Sequence, residues 1–164
     1  MNTQSKTTLD SKEFAQACKD LARKSFEGKV PQETLDAILA LTPVPDKVKK
    51  DALGAPNTQA EVTVTAAFIW GTVQCTVHGG KTFDGEHWGL GLAGFSATGI
   101  IYTAYNNWDD FYQNATGYHV QCAGVAGGIV QVNWFNNSGV PVGQFNGIAG
   151  GVGAMEVGGK GSWK

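Results

Sequence analysis

The chain has 164 residues, a formal net charge of −2 and 42% hydrophobic residues, which is the size and make-up of one globular unit with room for a small appendage. That charge, with a pI of about 5.9, excludes the clustered basic face that nucleic acid binding requires. Charged residues make up 16% of the chain, below the roughly 25% of an average protein, so Gly, Ser, Thr, Asn and Gln must form much of the surface, as suits sheet better than helix.

Met1 to Asp10 contains no apolar run, and no stretch reaches the roughly 20 apolar residues of a membrane-spanning helix. Neither a Sec signal peptide nor a transmembrane segment is expected, which implies a cytoplasmic protein or one exported by a signal-independent route. Residues 1–60 hold nine of the twelve Lys and Arg but two of the 23 glycines. This shift divides the chain into a helical segment with its linker, 1–58, and a β unit, 59–164.

In the first segment Asp10 or Ser11 can cap a helix whose Phe14, Cys18, Leu21 and Ser25 recur at spacings of four, three and four. Gly28 ends that helix. Pro31 suits the first turn of a second helix carrying Leu35, Ile38 and Leu39, which Thr42-Pro43-Val44-Pro45 stops. A third turn is predicted over Asp46–Leu53, before the linker Gly54-Ala55-Pro56-Asn57. Helices this short are marginal alone and should pack on each other, on the β unit or on a partner. An anionic membrane surface or a protein partner engaged through residues 1–58 is the docking expected of this segment, at about 1 kcal/mol per basic residue on an anionic leaflet.

From Thr58 onward, β-branched and aromatic residues come in short runs punctuated by Gly and Asn, the pattern of an all-β sandwich or barrel. Eight strands are predicted: Glu61–Trp70, Thr72–His78, His87–Phe95, Ala97–Thr103, Thr116–Ala123, Gly128–Phe135, Pro141–Gly147 and Gly151–Val157. Asn136-Asn137-Ser138-Gly139 reads as a hairpin loop. Asn107–Tyr112, with Trp108, Phe111 and Tyr112 at helical spacing, reads as one helical turn closing an end of the barrel. Glycines at odd spacings inside the strands point to tight curvature or close backbone approach. Gly147-Ile148-Ala149-Gly150-Gly151 lacks the context of a dinucleotide fingerprint.

No residue constellation in the sequence indicates catalysis. Cys18, Cys75 and Cys122 are spaced for neither a metal site nor a disulfide framework and read as buried thiols, although Cys75 and Cys122 both sit in strand-like runs that could meet in the fold. His78, His87 and His119 share no local spacing, so no metal and no cofactor is expected. Asp84 and Glu86 read as one turn, and Asp109 and Asp110 as a helix start that favours the positive end of the helix dipole, so neither pair is an acid–base couple. Ser96 and Ser162 lack a nucleophile-elbow context. Trp88, Trp108, Tyr112 and Trp163 are the candidate binding residues, as rim aromatics able to meet lipid headgroups or sugar rings.

Six segments resemble, in order and spacing, the core of the virulence-associated protein (Vap) family. They are Gly80-Lys81-Thr82-Phe83-Asp84-Gly85, Gly89-Leu90-Gly91-Leu92-Ala93-Gly94, Gly99-Ile100-Ile101-Tyr102-Thr103, Trp108-Asp109-Asp110-Phe111-Tyr112, Phe135 to Gly143 with Gly139 in its loop, and Gly158-Gly159-Lys160-Gly161-Ser162-Trp163. The resemblance covers about residues 61–163. It implies a closed eight-stranded antiparallel barrel with one short helix, filled by side chains, here preceded by a small α-helical segment where family members have a signal peptide and a disordered arm. It gives Gly80, Phe83, Asp84, Gly85, Gly99, Gly139 and Gly161 a structural role. The function it implies is a non-enzymatic effector acting on host or competitor membranes, or on a membrane-associated partner. Two other expectations stand beside it: a cytosolic module whose N-terminal helices recruit a protein, and a lectin-like barrel using rim aromatics.

Overall fold

A computed structural model of the chain describes residues 12–42, 57–123, 128–149 and 155–164. The predicted caps at Asp10 and Ser11 and the predicted turn over Asp46–Leu53 lie outside the described residues. Helix α1 (Lys12–Phe26) buries Phe14, Cys18, Leu21 and Ser25, the stripe its spacing predicts, together with Ala15, Ala22 and Phe26. Gly28 follows at φ +77°, the left-handed conformation that a glycine adopts without cost after a helix. Pro31 stands at the N-cap of α2 (Gln32–Ala40), which buries Leu35 and Ile38.

The β unit is one antiparallel sheet of six strands: β1 (Asn57–Val77), β2 (Thr82–Thr103), β3 (Gly117–Ala123), β4 (Gly128–Phe135), β5 (Pro141–Ala149) and β6 (Met155–Trp163). β1 and β2 are long and bent, and each supplies two staves. The second half of β2 pairs with β5 from Thr98↔Ile148 to Thr103↔Gly143, while its first half pairs with β6 from Phe83↔Trp163 to His87↔Gly159. β1 folds back on itself, since His78 N donates to Gln59 O at 2.9 Å and the Thr65 and Thr72 hydroxyls lie 2.7 Å apart. Counted by staves this is the closed eight-stranded antiparallel barrel expected, and closure removes the sheet edges that would otherwise template aggregation.

Two strand boundaries differ most from prediction. The turn between β1 and β2 is confined to His78–Lys81, with Gly79 at φ +71°, so Asp84 and Glu86 lie on β2 as successive outward residues rather than in a turn. β6 runs through the Gly-rich Gly158–Trp163 segment instead of ending at Val157, and its start before Met155 lies outside the described residues. Helix α3 (Trp108–Asn114) exceeds the predicted turn by two residues and is capped by Asn107, whose Oδ1 accepts from Asp110 N at 2.8 Å while its Nδ2 donates to Asp110 Oδ2 at 2.9 Å.

The interior is filled by alternate residues of every stave, among them Val62, Val73, Cys75, Ile101, Val120, Val132 and Phe145. At the α3 end it is aromatic: Trp134 and Trp163 lie 5.6 Å apart between centroids, and Phe111 lies 5.9 Å from Trp134 and 5.2 Å from Trp163. Glycines make room for these rings. A Cβ on Gly85 would come within 2.5 Å of the Tyr118 ring, and one on Gly99 within 2.5 Å of the Gly147 Cα on the facing strand. The odd glycine spacings therefore record both close backbone approach and space for rings.

Candidate binding surfaces

β4 and β5 are buried on both faces, unlike an ordinary half-solvated antiparallel strand. Inward residues Val130, Val132, Trp134 and Phe145 alternate with outward Gln131, Asn133, Gln144 and Asn146, and the outward set is also 0% exposed. Helices α1 and α2 cover it, α1 over β3 and β4 and α2 over β5. The four amides form a closed ring in which each donates to the next. Gln131 Nε2 donates to Asn146 Oδ1 at 2.8 Å, Asn146 Nδ2 to Gln144 Oε1 at 2.7 Å, Gln144 Nε2 to Asn133 Oδ1 at 2.7 Å, and Asn133 Nδ2 to Gln131 Oε1 at 3.1 Å.

Two remaining N–H groups of the ring reach the cover: Gln131 Nε2 donates to Cys18 O at 3.0 Å and Gln144 Nε2 to Ile38 O at 3.3 Å. Gln121 on β3 joins the ring through Asn133 Nδ2, and with its amide turned to match its neighbours it donates to the backbone oxygens of His119 and Gln131. Beside the polar ring, Phe26, Leu35 and Ile38 pack with Ala22, with Phe135 against them. Glu156 on β6 lies 3.9 Å from Lys29 Nζ in the loop after α1 and 3.2 Å from His119 Nε2 on β3.

The ends of the barrel differ. The α3 end carries Trp108, 5.6 Å from Phe111 and 6.0 Å from Tyr112, and Tyr112 in turn lies 5.0 Å from Trp163. The opposite end carries the bend of β1. A register shift between Phe68 and Trp70 turns the strand there and leaves Ile69 59% and Trp70 42% exposed. No helix among the described residues is long and apolar enough to cross a membrane.

A family model for the Rhodococcus equi virulence-associated protein matches residues 4–164. The chain belongs to that family. Two solved structures share the fold of this virulence-associated protein. VapB from the intracellular pathogen Rhodococcus equi is 22% identical, with a TM-score of 0.57 over 67% of this chain and 97% of its own. VapD from the same organism is 20% identical, with a TM-score of 0.59 over 67% of this chain and 98% of its own. No curated protein matches. The share of this chain that these structures cover is about what residues 57–164 make up, whereas the family model reaches back to residue 4 and takes in α1 and α2. Kinship with the family therefore does not stop near residue 61, as the motifs alone suggest.

Of the four candidate rim aromatics, Trp108, Tyr112 and Trp163 meet at the α3 end, and Trp88 lies apart from them. Trp108 and Tyr112 are half-buried at the α3 end, and Trp88 stands opposite Trp70 in the β1–β2 register at the other end, with its side chain outside those described. Trp163 is corrected by its burial: at 8% exposure it fills the aromatic core and presents no ring to a headgroup. Of the motif residues, Phe83 is wholly buried 5.2 Å from the Trp163 ring, Asp84 is exposed and accepts from Gln74 Nε2 at 3.1 Å, and Gly139 adopts φ +77° in the β4–β5 hairpin. A Cβ on Gly80 would strike the Tyr112 hydroxyl, and one on Gly161 would strike Asp84 O. No motif in the sequence announces the amide ring, although Val-Gln-Val-Asn-Trp and Gln-Phe-Asn spell its alternation.

All three cysteines are free and buried, and burial pushes the Cys18 and Cys122 thiols up to about 12 and Cys75 higher still. Burial also lowers His87 and His119, with Glu156 opposing the effect at His119. The unfolded chain therefore binds protons on these imidazoles that the folded chain refuses. Stability is retained above the ordinary imidazole value of 6.5 and drains away as pH falls below it. Urea melts between pH 7.5 and pH 5 are expected to show this loss, reduced in His87→Gln; an equal loss in that variant would locate the titration elsewhere.

Proposed function

We propose that this protein is a non-enzymatic, virulence-associated effector that works at membrane surfaces. The observation that carries the reading is the β1 bend, where Ile69 and Trp70 stand side by side in solvent at one tip of the barrel. Trp is the residue most at home at the headgroup level of a bilayer, and an adjacent Ile can enter the acyl boundary. Two such side chains give weak, reversible attachment, each contributing at most about 1.5–3 kcal/mol.

The buried titratable groups support a non-enzymatic reading. Burial raises the Cys18, Cys75 and Cys122 thiols, so none of them is a ready thiolate nucleophile. Recruitment of a protein through α1 is less well supported, because the apolar stripe of α1 is already covered by the barrel. Co-sedimentation and dye leakage with phosphatidylcholine vesicles, with and without phosphatidylserine, test the reading at pH 7 and pH 5. Binding is expected, and Ile69→Ser should weaken it about tenfold, the equivalent of roughly 1.4 kcal/mol. No sedimentation with either vesicle at either pH would sink the reading.

A further inference from the structure

Next to the β1 bend, the outer face of β1, β2 and β6 forms a trough of about 470 Å³, within the roughly 300–1,000 Å³ of small-molecule sites. Its floor is the backbone of Gly85 and Gly161, which face each other in register. Its walls are sorted by strand. β1 supplies the Trp70 indole, β2 supplies the carboxylates of Asp84 and Glu86, and β6 supplies Lys160 and the Ser162 hydroxyl, with Lys164 just beyond.

Register makes the sorting regular, since Glu86 is the partner of Lys160 and Asp84 of Ser162. No ion pair among the described residues joins these carboxylates to these ammonium groups. Gln74 donates to Asp84 and fixes it from the β1 side. The trough is thus polarised across its width, aromatic and anionic along one wall, cationic and hydroxylic along the other. The carboxylates of β2 and the groups of β6 are one strand spacing apart, about 4.8 Å, and Trp70 stands on β1, one strand further out.

A simple anion would meet two carboxylates there, and a simple cation two ammonium groups. A zwitterion meets neither conflict. Indole beside carboxylate is the environment that holds a quaternary ammonium through cation–π attraction, and ammonium beside hydroxyl is one that holds a phosphate. We infer that the trough takes a phosphocholine group, trimethylammonium against Trp70 and the β2 carboxylates, phosphate toward Lys160 and Ser162, presented as the headgroup of a phosphatidylcholine surface. This deepens the membrane reading and rests on it for the source of the ligand, because Ile69 and Trp70 would enter the same surface that presents the headgroup.

The test titrates the full chain with phosphocholine, choline and inorganic phosphate by calorimetry, and adds vesicles of phosphatidylcholine or of phosphatidylglycerol. Saturable phosphocholine binding is expected, at least tenfold tighter than choline or phosphate alone. Trp70→Ala should weaken it about tenfold or more. The double variant Glu86→Lys/Lys160→Glu keeps the net charge and reverses the polarity, and it should also lose about tenfold or more, with the circular dichroism spectrum unchanged. Phosphate binding as tightly as phosphocholine, or a double variant that binds unchanged, overturns the proposal. Phosphocholine binding without sedimentation on phosphatidylcholine overturns the headgroup source. Sedimentation on phosphatidylglycerol alone overturns the trough assignment and leaves membrane action standing.

Discussion

Replacing Trp134 by Ala is expected to lower the free energy of unfolding by about 3–5 kcal/mol, the range for emptying a large aromatic site in a core. For a chain of this size that corresponds to a fall of roughly 10 °C or more in Tm. Trp134 is 0% exposed, and its ring meets Phe83 at 5.8 Å, Phe111 at 5.9 Å and Trp163 at 5.6 Å. It therefore joins β2, α3 and β6 to β4, and the cavity left by Ala cannot collapse without moving elements that the closed ladder holds in register. Its indole Nε1 donates to no group among the described residues, so the ring acts through volume and contact. Trp134→Phe keeps most of that contact and sacrifices no hydrogen bond, and should cost about 1–2 kcal/mol. Equal losses for Ala and Phe in urea melts would show that ring volume is not what Trp134 supplies.

The barrel was legible because its signal is local. Alternating β-branched and aromatic residues broken by Gly and Asn mark strands, and Asn136 to Gly139 marks a hairpin whose Asn136 Oδ1 accepts from Ser138 N at 2.9 Å and Val140 N at 3.0 Å. The boundaries were less legible where glycine itself forms the strand. Gly158, Gly159 and Gly161 carry no side chain to alternate, so the predicted strand stops at Val157, and the pairing of its continuation with β2 and β3 depends on neighbours far away in sequence. Trp163 shows a second limit: a tryptophan near a strand end looks alike whether it caps a core or meets solvent, and the Phe83, Phe111 and Tyr112 rings decide in favour of the core. The trough was illegible because Trp70, Glu86 and Lys160 meet across three strands. The cover over β4 and β5 was half legible: the apolar stripe of α1 required a partner, yet outward Gln and Asn read as solvated until both faces of those strands proved buried.

That cover is the basis of the second large effect. Asn133→Ala is expected to cost about 2–4 kcal/mol, because it strands several buried partners at once, and an unsatisfied buried polar group costs about 1–3 kcal/mol. Gln144 Nε2 loses its 2.7 Å acceptor, and Gln131 Oε1 loses its 3.1 Å donor. The ring is also cyclic, with every amide polarised by its neighbours in the same sense, which makes its members worth more together than singly. Replacing all four amides by Leu at 131 and 144 and Val at 133 and 146 removes the donors and acceptors of the ring together and leaves Gln121 Oε1 as the one ring neighbour without its Asn133 donor, and exchange for apolar groups of similar shape is close to neutral. The fourfold variant should therefore be more stable than Asn133→Ala. Hydrogen exchange separates the cover from the barrel. Because Gln131 and Gln144 hold Cys18 O and Ile38 O, Asn133→Ala should speed exchange along α1 and α2 more than along β1. A single substitution costing under about 0.5 kcal/mol, or equal acceleration in helices and barrel, would mean that Phe26, Leu35 and Ile38 hold the cover without help from the ring.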